Sequence, residues 1–90
     1  MKVSSTQHLL IRLAMINPDE SKGMFYPHER MYDPGKKEWV QIYGAKFANG
    51  IKALINSGLA IAVTELHPYA FQLTTKTMEE FKAGKIEEKV

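Results

Sequence analysis

Lysine and asparagine residues recur through residues 45–57, where helical spacing would gather them on one side. If the apolar residues of this segment face a core, its outer side carries Lys46, Asn49, Lys52 and Asn56. Lysine ammonium groups neutralise phosphates, and an asparagine amide can pair with the edge of adenine in the major groove of DNA. The pattern therefore predicts a face that contacts double-stranded DNA, while a solvated face or a protein interface fits the same residues.

Three residues outside this segment are expected to add contacts to the DNA backbone. Lys36 and Lys37 come directly after a predicted turn, and His67 lies at the predicted tip of a β-hairpin. So few cations give a monomer modest affinity, because each phosphate contact contributes a limited and salt-dependent increment. A DNA-binding protein of this size is therefore expected to form a homodimer on paired half-sites.

The titratable residues predict neither catalysis nor metal binding. His8, His28 and His67 fall in three separate predicted elements, whereas zinc needs three or four converging ligands, usually at short local spacing. The chain has no cysteine, which removes thiolate ligands and thiol chemistry. Carboxylate pairs such as Glu79-Glu80 lie among lysines, as on a solvated helix, and not in a setting that would perturb their pKa. No enzymatic activity, no metal and no cofactor are therefore predicted.

Aromatic side chains cluster between Phe25 and Tyr43, and three uses of them stay open. Interleaved with basic residues, they could stack on single-stranded bases. They could equally anchor a protein partner, since tryptophan, tyrosine and arginine are the usual interface anchors. The third use is to fill the core, and it is the one predicted for Phe25 and Trp39. The candidate protein interface consists of Tyr26, Arg30, Tyr32 and Trp39.

The first half of the chain is predicted to contain two helices. Ser4-x-x-Gln7 has the spacing of a capping box and opens a helix over about 5–16, which Pro18 should stop. Residues 37–43 are assigned to a short helix, because their bulky residues fit i, i+3 and i+4 spacing. A strand is the alternative for this segment, since the same residues have high β-propensity.

The second half is predicted to contain a helix, a hairpin and a short closing helix. Phe47, Ile51, Leu54 and Ile55 form one apolar stripe, so a helix should span 45–57 and end at Gly58. The remaining predicted elements are a short strand at 24–26, hairpin strands at 61–66 and 70–74 joined by a turn at 67–69, a helix opened by Thr77-x-x-Glu80, and a frayed tail over 84–90.

Length and composition fit one small domain spanning 1–90. The net charge of +2 allows nucleic-acid binding without requiring it. No stretch approaches the roughly 20 apolar residues of a membrane span, and no apolar run near Met1 is typical of a secretory signal. A cytoplasmic protein without membrane contact is expected.

Two short motifs resemble winged-helix proteins of bacteria and phages. Residues 51–60 contain the pattern L-x-x-x-G-L, from Leu54 to Leu59, that ends a recognition helix in those proteins. Residues 72–76 resemble the L-T-x-x-G step after the wing in regulators of the multiple-antibiotic-resistance type. Lys76-Thr77 replaces the glycine of that step, and the wing lacks the Asp-Arg-Arg run of those regulators. The resemblance covers about residues 36–82.

The resemblance implies an α+β fold of small winged-helix type, with a three-helix core, a β-hairpin wing and a short C-terminal helix. The implied function is DNA binding by a transcriptional or replication regulator, in a phage or mobile-element setting that suits so short a chain. The alternative is a winged-helix module that docks on a host enzyme through residues 24–43. The weak net charge and the missing wing arginines favour this alternative.

Overall fold

Residues 1–16 and 22–89, the part of the chain that the computed structural model describes, contain three helices and seven short strands. The α+β class expected from the sequence is confirmed. The elements are, in chain order, β1 (Lys2–Val3), α1 (Ser5–Met15), β2 (Met24–Phe25), β3 (Arg30–Asp33), β4 (Glu38–Gln41), α2 (Ala45–Asn56), β5 (Ala60–Ala62), β6 (Phe71–Leu73), α3 (Thr75–Lys82) and β7 (Glu87–Glu88).

Helix α1 begins at the predicted capping box. The Gln7 backbone N–H donates to Ser4 Oγ at 3.1 Å, and the Ser4 N–H donates to Gln7 Oε1 at 2.9 Å. These bonds satisfy amides that have no partner inside the helix. The helix ends at Met15 with Ile16 as its cap, and the predicted stop at Pro18 lies outside the described residues.

The segment 37–43 contains strand β4, so the short helix predicted there is wrong. Strand β4 pairs antiparallel with β3 and places Trp39 opposite Tyr32. Bulky aromatic and β-branched residues gain from such cross-strand contacts, which a short window of sequence does not display. Alternation then turns Val40 toward the core, while Trp39 points outward and is 61% exposed. The core position predicted for Trp39 is therefore also wrong.

The hairpin predicted after α2 is present, and it belongs to a three-stranded antiparallel sheet of order β2-β6-β5. Its strands are shorter than predicted, because the connection over residues 63–70 contains two successive turns in place of one tight turn. In the first turn the Leu66 N–H donates to the Val63 carbonyl at 3.1 Å, and in the second the Ala70 N–H donates to the His67 carbonyl at 3.0 Å. The predicted strand β2 is confirmed as the third member of this sheet.

The core lies between this sheet and the inner sides of α1 and α2. Phe25 and Phe71 are fully buried, and their rings stack with centroids 4.8 Å apart. This burial confirms the core position predicted for Phe25.

Helices α1 and α2 approach closely at Gly50, where a Cβ atom would lie 2.8 Å from Thr6 Cγ2. Glycine at this position therefore sets the distance between the two helices.

Helix α2 covers nearly the predicted residues and buries the predicted stripe. Phe47, Ile51 and Leu54 are buried, and Ile55 packs against the core. Gly58 ends the helix with a φ of +79°, a conformation that glycine adopts without steric cost. This cap turns the chain at once into β5, so the hairpin is held close to the end of α2.

The end of the chain differs from the sequence-based expectation in two respects. Thr74 caps α3, since the Thr77 backbone N–H donates to Thr74 Oγ1 at 3.1 Å; the predicted box at Thr77 is wrong. The frayed tail predicted over 84–90 is also wrong as far as Lys89, because β7 pairs in parallel with β1 and Ile86 is buried. Pairing between segments so far apart in the chain leaves no local pattern in the sequence.

A buried ion pair fastens the β3–β4 hairpin to α1. Arg12 donates from Nε to Asp33 Oδ1 at 3.1 Å and from Nη2 to Asp33 Oδ2 at 2.8 Å. The Gly35 N–H donates to the same carboxylate at 2.9 Å. The hydrogen bond from Arg12 is the main reason that the pKa of Asp33 is lowered. Arg12 also contacts His8, whose pKa is lowered by burial and by this guanidinium.

We expect Asp33→Asn to reduce the free energy of unfolding by about 2 kcal/mol at neutral pH, because the partly buried Arg12 then keeps only the longer ion pair with Glu88, at 3.6 Å. The stabilisation from Asp33 is full above the unfolded-state pKa of the carboxyl and is lost as the pH falls through the lowered folded-state pKa. Urea unfolding of the wild type and the variant should therefore differ at neutral pH and converge in acid. Equal stability at neutral pH would contradict this account of the ion pair.

Candidate nucleic-acid interface

The outer side of α2 presents the four residues that the sequence assigns to it. Lys46, Asn49, Lys52 and Asn56 are all exposed, and we call them the α2 face. Helical spacing places the last three in one row, with Lys46 at the edge nearer to α1. Across residues 1–16 and 22–89, none of the four side chains has a hydrogen-bond or ion-pair partner. Both ammonium groups are therefore available to an external anion.

Lys36 and Lys46 are brought to one place by the fold. The two lysines line a recess of about 210 Å³ between α1, the β3–β4 hairpin and the start of α2. Arg12 lies in the same recess but is engaged by Asp33, so its charge is already compensated. Glu38 also lines the recess and partly offsets the two lysines.

The turn of the β3–β4 hairpin carries Lys37 beside Lys36. Lys37 is exposed and has a positive φ of 55°, a left-handed conformation that is uncommon for residues other than glycine. No ion pair engages either lysine within the described part of the chain. The turn therefore adds two cations without ion-pair partners, and Lys36 shares the recess with Lys46 of the α2 face.

His67 lies apart from the other candidate DNA-binding residues. It lines an open cleft of about 530 Å³ on the opposite flank of the start of α2. Its ring centroid is 5.3 Å from that of Tyr26, and its Nδ1 accepts a hydrogen bond from the Tyr69 backbone N–H at 3.1 Å. His67 is thus half-buried between Tyr26 and Tyr69. The two-turn connection over residues 63–70 folds its ring back toward the end of β2.

The start of α2 adds positive potential between these two flanks. Gly44 precedes the helix with a φ of +90°, and no side chain caps the first turn. The first turn also contains no acidic residue, so the positive end of the helix dipole is not offset within the helix. Backbone amides at a helix start point toward an approaching anion, which makes this end compatible with a phosphate next to Lys46.

Three of the four residues of the candidate protein interface form one group on the outer side of the β3–β4 hairpin. The Arg30 guanidinium carbon lies 5.4 Å from the Trp39 ring centroid, and the Tyr32 ring meets Trp39 edge-on with centroids 5.5 Å apart. We call Arg30, Tyr32 and Trp39 the aromatic ladder. Tyr26 is not part of it and lies beside His28 and His67. Alternation along residues 38–41 was the sequence signal that could have revealed this exposed group.

Comparisons with known proteins add no relative. No protein-family model, no curated protein and no solved structure matches the chain.

Within residues 1–16 and 22–89, no group of three or more histidine, aspartate and glutamate side chains is placed to hold a metal ion. None of the helices in this described part is both long enough and apolar enough to cross a lipid bilayer.

Proposed function

We propose that this chain is a small DNA-binding protein of the winged-helix type, acting as a regulator of transcription or replication. The α2 face lies in the major groove of the duplex. Its exposed lysines and asparagines, which have no hydrogen-bond or ion-pair partner in the described chain, are the observation that carries the proposal. Asparagine amides read base edges, and lysines fix the helix on the phosphates.

The order of elements around α2 supports this assignment. A tight glycine cap joins α2 to the β5–β6 hairpin, where the Leu59 N–H donates back to the Leu54 carbonyl at 3.0 Å. The hairpin therefore follows the candidate recognition helix without a long linker, as a wing does. Strand β2 widens this wing into three strands.

The β3–β4 hairpin comes directly before α2 in the chain, the position in which a helix-turn-helix has its first helix. That first helix crosses the DNA backbone in a helix-turn-helix protein. In this chain the turn with Lys36 and Lys37 provides the backbone contact, together with Lys46 across the shared recess. The contact set thus consists of Lys36, Lys37, Lys46 and Lys52.

Four phosphate contacts define the expected salt dependence. Each contact contributes about 0.9 to the slope of log Kobs against log salt for duplex DNA, so one protomer gives a slope of about −3.6. Affinity should then fall about 150-fold between about 50 and 200 mM salt. A homodimer on paired half-sites doubles the slope, which also makes the oligomeric state readable from the titration.

The test is the fluorescence anisotropy of a labelled duplex of about two helical turns, or about 20 base pairs. Wild-type protein should bind at about 50 mM salt, with a slope of log Kobs against log salt of about −3.6 for a monomer or about twice that for a homodimer. Absence of binding under that condition would overturn the proposal. Binding with a slope near zero would also overturn it, because lysine–phosphate contacts would then play no part.

A further inference from the structure

The aromatic ladder is a second recognition surface, separate from the α2 face. We infer that it is a stacking platform for unpaired bases of a single-stranded nucleic acid. The ring and guanidinium groups of the ladder take no part in the proposed duplex contact, so stacking of unpaired bases on them does not depend on duplex binding, although both surfaces use Lys36 and Lys37 of the hairpin turn.

The ladder is open to solvent on the side where a base would arrive. Trp39 is 61% exposed and Tyr32 is 40% exposed. The antiparallel register sets Tyr32 directly opposite Trp39 and Arg30 opposite Gln41, so all four side chains project from one side of the hairpin. The Trp39 indole is contacted by both other members of the ladder. The Arg30 guanidinium carbon lies 5.4 Å from its ring centroid, and the Tyr32 ring centroid lies 5.5 Å from it.

The inner side of the β3–β4 hairpin is anchored to the core and to α1. On the inner side of the hairpin, Met31 and Val40 pack against the core. Asp33 is 1% exposed and bound by Arg12, which ties the hairpin to α1. A surface ordered in advance loses little conformational entropy when a ligand binds.

The chemistry of this side favours bases over an apolar peptide. Its four outward groups are an indole, a phenol, a guanidinium and a carboxamide, so every one is planar and none is aliphatic. Bases stack on aromatic rings and on guanidinium planes, and they do so with little sequence preference because every base has a π face. The glutamine amide can hydrogen-bond to a base edge.

Charge along the hairpin is complementary to a phosphate backbone. Arg30, Lys36 and Lys37 have no ion-pair partner in the described chain. The carboxylate of Asp33 is neutralised by Arg12. The ladder therefore contains one cation, Arg30, and two more lie at the hairpin turn, while Glu38 is the acidic residue of β4.

The single tryptophan of the chain makes the inference directly measurable. Titration with a thymidine oligonucleotide of about 12 nucleotides, a length within the usual site sizes, should quench Trp39 fluorescence to saturation at about 50 mM salt. The variants Tyr32→Ala and Arg30→Gln should each weaken binding about tenfold. Tyr69→Ala is the matched control, because Tyr69 is 43% exposed but lies outside the ladder, and it should bind as the wild type does.

Trp39→Phe tests the platform without the fluorescent probe. Its affinity for a labelled oligonucleotide, measured by anisotropy, should fall less than that of Trp39→Ala, because phenylalanine retains an aromatic face. Circular dichroism checks that each variant is folded. Quenching that is absent, or affinity that is equal in the wild type and the ladder variants, would overturn the inference. Quenching by poly-glutamate but not by the oligonucleotide would assign the ladder to an acidic protein segment and would overturn it as well.

Discussion

Replacing Lys46 and Lys52 together by glutamine is expected to weaken duplex-DNA binding about 100-fold at about 50 mM salt, because at that concentration the release of counterions contributes roughly one order of magnitude per phosphate contact. The slope of log Kobs against log salt should become less negative by about 1.8 per protomer, because two contacts at about 0.9 each are lost. Both side chains are exposed and without ion pairs in the described chain, so the substitutions should leave the free energy of unfolding within about 0.5 kcal/mol of that of the wild type.

The matched control changes the same number of charges on another helix. Lys76 and Lys82 are exposed lysines of α3, and Lys76→Gln with Lys82→Gln lowers the net charge equally. This control should reduce affinity less than tenfold, through the long-range field alone. Equal losses in the two double variants would mean that binding follows net charge and that the α2 face makes no specific contact.

Phe71→Ala is expected to reduce the free energy of unfolding by about 3–5 kcal/mol. Phe71 is fully buried in β6, the central strand of the three-stranded sheet, and its ring stacks on Phe25 at 4.8 Å. The substitution leaves a cavity between the sheet and the two helices. A loss of this size is a large part of the total stability of a small domain, about 5–15 kcal/mol, so urea unfolding should show it clearly.

Ile61→Ala on the neighbouring strand β5 is the control for this prediction. Ile61 is 62% exposed, so removing its side chain creates no cavity and should cost about 0.5 kcal/mol or less. A small loss for Phe71→Ala, similar to that of Ile61→Ala, would contradict the role of the stacked phenylalanines in the core.

The helices of this fold could be predicted because their signals are local. The capping box at Ser4 and Gln7 marks the start of α1, and the stripe from Phe47 to Leu54 gives the inner side of α2. Each signal depends on residues within a few turns of one another. For the same reason the α2 face could be predicted, since exposure follows directly from which side of a helix is apolar.

The β3–β4 hairpin could not be predicted in the same way. Trp39, Val40 and Ile42 satisfy helical spacing and strand alternation about equally over so short a segment. The decision comes from the partner strand at Arg30–Asp33 and from the ion pair between Asp33 and Arg12. Both interactions join parts of the chain that are remote in sequence. The exposure of Trp39, and with it the aromatic ladder, follows only once that pairing is known.

The position of His67 also depended on features beyond local pattern. Its sequence neighbours suggest a tight turn, which would have placed the imidazole at the tip of the wing. Two successive turns over 63–70 instead fold the ring onto Tyr26. A substitution at His67 is therefore a poor test of DNA binding, and the lysines of the α2 face are better ones.

The most direct test of duplex recognition is a backbone-amide NMR titration of the isotope-labelled chain with a duplex of about 20 base pairs. We predict that the largest chemical-shift changes fall on Asn49, Lys52 and Asn56, with further changes at Lys36 and Lys37 in the hairpin turn. Amides of the buried strand β6 should shift little. Shift changes that spare α2 while the duplex is bound would contradict the claim that this helix contacts DNA.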